Sequence, residues 1–153
     1  MSEIVIADSS CLIALARTGQ MEILRGMFGR IAIPAAVHGE VVNQGAGRPG
    51  SQGVANAVWI ETREVRDRLA VQVLQLTLGR GESEAIILAA ETRARFIILD
   101  DWRARQTALG MELPVIGTLA ILKRAAEKGL LDDLDGTLDR LRKAGFHFMH
   151  KKA

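Results

Sequence analysis

A set of carboxylates stands where short apolar runs end or helical patterns begin. Asp8 closes the run IVIA at residues 4–7, and Asp100 and Asp101 close FIIL at residues 96–99. Glu82 and Glu84 open the stretch GESEAIILAA, and Glu40 lies in IPAAVHGEVV. If these groups met in one pocket they would repel strongly, since two unit charges ~4 Å apart cost about 4 kcal/mol at an effective dielectric near 20. Either some protonate or a divalent cation neutralises them. With one cysteine and three histidines, none at ligand spacing, a hard cation such as Mg²⁺ or Mn²⁺ is favoured over Zn²⁺. Such ions bridge to phosphate oxygens, and a pair of them can activate a water and steady a leaving oxygen.

Convergence of these acids requires a particular architecture. Apolar β-branched runs at residues 4–7, 31–33, 58–65, 96–99 and 113–116 alternate with amphipathic stretches. That alternation predicts an α/β fold, a three-layer α/β/α sandwich around a mostly parallel five-stranded sheet. In such a sheet ligand sites lie beyond the carboxyl ends of the strands, where Asp8, Asp100 and Asp101 fall. Right-handed crossovers bring the start of the GESEAIILAA helix to the same edge. Glu40 sits in a helix expected to start with Pro34 at its first position and to run toward Asn43. QGAGRPGSQG, residues 44–53, reads as an exposed loop. One domain spans residues 1–153, and residues 127–153 form a helical and basic tail region.

Each acid also has an ordinary structural role. Asp8, followed by Ser9 and Ser10, would cap a helix; a DD pair after a strand makes a turn and cap; Glu82 suits a first helical turn. Their shared edge is what favours chemistry.

Hydrophobic residues at 48% and charged residues at 25% describe a globular domain, and the chain is long enough to bury a core. A single cysteine, Cys11 in the run CLIAL, excludes a disulfide framework and reads as a buried apolar residue. Aromatics are 4%, too few for base stacking to be the main binding device. No secretory signal or membrane-length apolar stretch is visible, which predicts a cytoplasmic protein with no membrane partner. A net charge of +2 is only weakly suggestive of nucleic acid.

Four stretches resemble the PIN-domain family, in particular its compact branch of toxin-like nucleases: IVIADSSCLIALA, IPAAVHGEVV, GRGESEAIILAA and FIILDDWRARQTALGMELPVIGTLAILKRA. The resemblance implies Mg²⁺- or Mn²⁺-dependent cleavage of RNA. It places the family's acids on Asp8, Glu40, Glu84 and Asp101, with Asp100 a further ligand or a cap. Ser10 would support the first acid, and Thr118, after Gly117, would take a similar supporting role, serve a tight strand-to-helix turn or, as the lesser reading, contact a phosphate. Glu84 departs from the commoner Asp, which leaves one metal ion or two open. Arg48, Arg80, Arg103 and Arg105 are placed to contact RNA. An antitoxin partner and a homodimer are further implications, the latter with apolar faces near residues 21–28 as its surface.

Two other readings compete. A PIN-like module without catalysis would bind RNA or a partner, and a receiver-type phosphoacceptor would also gather acids at a sheet edge. The latter wants its acidic pair after the first strand and a Lys after the fifth; here the pair follows the fourth, and Gly117-Thr118 follows the fifth.

Overall fold

In the computed structural model, which describes residues 2–43 and 51–146, the apolar runs form one sheet in the order β3-β2-β1-β4-β5. The strands are β1 (Val5–Ala7), β2 (Ile31–Pro34), β3 (Ile60–Arg63), β4 (Phe96–Ile98) and β5 (Val115–Ile116). Every pairing is parallel, including the edges. The central strand shows why its sequence is continuously apolar. Val5 and Ala7 project into one core and Ile6 into the other, and all three are buried.

Helices cover both faces. On one side lie α1 (Ser9–Arg17), α2 (Glu22–Phe28), α8 (Thr118–Glu127) and α9 (Leu134–Lys143), joined through Leu12, Leu15, Leu24, Leu122 and Leu141. On the other lie α5 (Arg68–Leu74), α6 (Arg80–Thr92) and α7 (Trp102–Gly110), packed through Val71, Ile86 and Ala104. The chain steps outward from β1 through β2 to β3, then returns to place β4 on the other flank of β1. The β1–β4 boundary is therefore a topological switch point, where the carboxyl ends open a crevice.

Several local expectations change. Pro34 ends β2 and occupies the N-cap of α3 (Ala35–His38) rather than its first helical position. The helix expected to reach Asn43 is divided into the short α3 and a wider π-helical turn, Gly39–Asn43, which carries Glu40. Residues 51–53, expected in a loop, begin α4 (Ser51–Asn56), because Val54 is drawn into the core. The rest of that Gly-rich stretch, with Arg48, and the basic end of the tail from residue 147 lie outside the described residues. Of the apolar side chains near residues 21–28, Ile23 and Leu24 are buried, and Met21, Met27 and Phe28 are partly buried against the same core. Cys11 is buried as expected, and burial pushes its thiol pKa up, so it stays neutral. Among the described residues no helix is long and apolar enough to cross a membrane.

Candidate metal centre

A cleft of about 460 Å³ opens at the β1–β4 switch point, lined by Asp8, Glu40, Glu82, Asp100 and Asp101 together with Ser9, Ser10 and Phe146. Other clefts are of similar size, such as one of about 440 Å³ beside Arg63 and Glu91. Its Glu91 carboxylate is already bound to the backbone N–H groups of Arg66 and Asp67. Gathered carboxylates, not volume, distinguish the first cleft.

Asp8 forms its floor. It directly follows β1, and its N–H donates to the Ile98 carbonyl at 3.3 Å, which registers it against the end of β4. Although Asp8 occupies the N-cap of α1, its side chain makes no capping bond. It is only 3% exposed, and Oδ1 is buried with no hydrogen-bond partner. A buried, unpaired carboxylate oxygen is costly unless it protonates or meets a cation. Burial raises its pKa to about 7; the Ser9 backbone bond opposes this, and the charges of Glu82, Glu40 and Asp100 add to it.

The neighbouring acids are each fixed by a local bond. Ser9 Oγ donates to Glu40 Oε2 at 2.8 Å, joining α1 to the π-helical turn. Glu82 Oε1 accepts from Gly79 N at 3.2 Å, at the start of α6. Burial raises the pKa of Glu82, against the Gly79 bond and with the charges of Asp101 and Glu40. Asp100 accepts from Thr118 N at 2.9 Å and from Thr118 Oγ1 at 2.6 Å. Its pKa is raised by burial, with the Thr118 bonds and the Arg105 charge opposing. Asp101 caps α7 by accepting from Ala104 N at 3.0 Å.

Glu84 is elsewhere. It is 1% exposed, accepts from Ala36 N at 2.9 Å and from Arg68 Nη2 at 2.9 Å, and has Arg80 Nε 3.7 Å away. This corrects its placement among the gathered acids: a helix turns about 100° per residue, so Glu82 and Glu84 project in different directions. Glu82 supplies the cleft from this helix.

The supporting residues also sort themselves. Thr118 reaches Asp100, whereas Ser10 lines the cleft and its neighbour Ser9 makes the bond to a carboxylate. Arg105 turns inward, donating to the Leu99 carbonyl at 2.9 Å beside Asp100, so it steadies the β4 end. Arg80 is exposed but drawn toward Glu84, and Arg103 is exposed in the first turn of α7.

A family model described as DUF3368, a PIN domain, matches residues 4–152. The chain belongs to the PIN-domain family. PIN domains are generally nucleases that use divalent metals, so the acid-lined cleft sits in a nuclease-like fold. A solved PilT N-terminus domain protein from the archaeon Sulfolobus solfataricus is similar in fold, with a TM-score of 0.56 and 18% identity. That alignment covers 81% of this chain and 94% of the archaeal one. No curated protein matches the chain.

The donor set of this PIN domain suits a hard cation, being oxygen throughout, and Asp8 Oδ1 is a buried oxygen in want of a partner. Among the described residues no three His, Cys, Asp or Glu side chains already stand in a metal-holding arrangement.

Proposed function

We propose that the protein is a metal-dependent endoribonuclease that hydrolyses RNA phosphodiester bonds at the acid-lined cleft. The observation that carries this reading is the meeting of Asp8, Glu40, Glu82, Asp100 and Asp101 from separate elements around one opening, with Asp8 Oδ1 unpaired at its floor. Asp8, Glu40 and Glu82 would hold Mg²⁺ or Mn²⁺, with Asp101 or Asp100 completing the set. When bound, the ion supplies Lewis-acid polarisation of a phosphate oxygen and a water activated at neutral pH.

The chain's own residues do the rest. Ser9 holds one oxygen of Glu40, Thr118 holds Asp100, and Ala104 N–H holds Asp101, so the donors are positioned before substrate arrives. Asp8 retains its proton up to about pH 7 in the cation-free chain, and loading a cation requires its release. Arg103, exposed two residues beyond Asp101, is suited to a phosphate contact.

Cleavage of single-stranded RNA with Mg²⁺ or Mn²⁺ tests this reading, comparing wild type with Asp8→Asn. Metal-dependent cleavage that the variant lacks supports it. Equal cleavage by both would remove it. The alternative is a PIN-like module that binds RNA or a partner without cutting. Strong RNA binding with no cleavage under any metal condition would select that alternative.

A toxin role, with an antitoxin encoded by a neighbouring gene, follows from the family resemblance alone, as does a homodimer. The identity of the adjacent gene tests the first, and sedimentation tests the second.

A further inference from the structure

Glu84 is the buried acid that the cleft does not use, and its surroundings are unusually well built. Its carboxylate is shared among three elements. It arises from α6, accepts from Arg68 Nη2 of α5 at 2.9 Å and accepts from Ala36 N of α3 at 2.9 Å. The last contact matters most. Ala36 lies in the first turn of α3, where N–H groups have no partner within their own helix. The N-cap residue is Pro34, whose side chain has no group to accept a hydrogen bond from them. Glu84 therefore caps α3 from another element, with its negative charge at the positive end of that helix.

Directly after α3 comes the π-helical turn carrying Glu40. On the α6 side, Gly81 lies directly against the Glu40 carboxylate, and Glu82 lines the cleft one residue later. Glu84 thus bolts α3 to α6 near the place where Glu40 and Glu82 face a common opening. We infer that Glu84, held by Arg68, is a positioning residue that sets Glu40 against Glu82 through the Ala36 N–H, and is not itself a metal donor. This inference rests on the proposed metal centre.

Mn²⁺ binding to the folded full-length chain, measured by calorimetry well below each variant's melting temperature, tests it. Glu84→Ala should weaken binding by roughly 10- to 100-fold, as loss of a group that orients a ligand does. Glu84→Gln keeps an acceptor for Ala36 N–H and should recover part of that loss. In a Glu40→Ala background the additional effect of Glu84→Ala should disappear, because nothing remains to position. Without metal, Glu84→Ala should speed amide exchange at residues 36–41 while leaving residues 5–7 unchanged.

Unaltered Mn²⁺ affinity in Glu84→Ala would overturn the inference while leaving the metal centre intact. An equal loss with and without Glu40 would overturn it in favour of direct ligation. Wild-type protein that binds no Mn²⁺ would instead overturn the metal centre, and this inference with it.

Discussion

Gly81 sits so close to the Glu40 carboxylate that a methyl group at position 81 would overlap it. The glycine lies in the first turn of α6, where Ala is the better helix former by about 1 kcal/mol. Gly81→Ala should therefore leave thermal stability unchanged or slightly raised, while displacing Glu40 and lowering RNA cleavage by roughly 10- to 100-fold. Melting curves and initial rates on the same preparation check this. Unchanged cleavage would show that the position of Glu40 is immaterial.

Thr118 holds Asp100 through both its N–H and its hydroxyl. Thr118→Val removes the 2.6 Å bond of a fully buried side chain and should destabilise the protein by roughly 1.5–3 kcal/mol, the range for a hydrogen bond to a charged group. Thr118→Ser should restore most of this in urea denaturation. Failure of Ser to recover stability would shift the role of Thr118 from its hydroxyl to its methyl.

Asp101 serves as a helix cap and as a wall of the cleft, and two substitutions separate these uses. Asparagine is as good a cap as aspartate, so Asp101→Asn should melt close to wild type, whereas Asp101→Ala should lose about 1 kcal/mol. If the charge takes part in metal binding, both variants lose cleavage. Full activity in Asp101→Asn would leave Asp100 as the donor from this strand end.

The acid cluster also gives the metal-free protein an inverted pH dependence. Folded Asp8 keeps its proton to about pH 7, whereas its ordinary value is 3.8. Between those values the folded state binds more protons than the unfolded one, so stability falls as pH rises through that window and levels off above it. Burial raises Glu82 and Asp100 as well, which adds in the same direction. Urea denaturation in a chelator should show a decline on the order of a few kcal/mol from pH 5 to pH 8. A flat or rising profile would mean that Asp8 is not held protonated.

Some of this site is legible directly in the residues. Asp8 and Asp100 follow apolar runs short enough to be buried strands, and parallel pairing then brings them to adjacent strand ends. Thr118 follows the fifth run for the same reason. Glu82 and Glu84 are harder to separate, because the positions after them are buried on every side of α6 and no polar face marks the outward direction. The partners that claim Glu84, Arg68 and the N–H of Ala36, come from elements distant in sequence. Spacing within the α6 stretch cannot reveal them. Pro34 offers a hint, since a helix starting after proline lacks a side-chain cap and needs an acceptor from elsewhere. The π-helical turn at Gly39–Asn43 is equally hidden, and so is the bond that Ser9 makes to Glu40 within it.

Direct titration of the metal-free protein with Mn²⁺, near pH 7 in buffers of different ionisation enthalpy, bears most closely on the role of the clustered acids. Wild type should bind with release of a proton from Asp8, more tightly as pH rises, and Asp8→Asn should lose both binding and proton release. Equal affinity in the two proteins, or binding without proton release, would contradict the assignment of Asp8 as the floor of a metal centre.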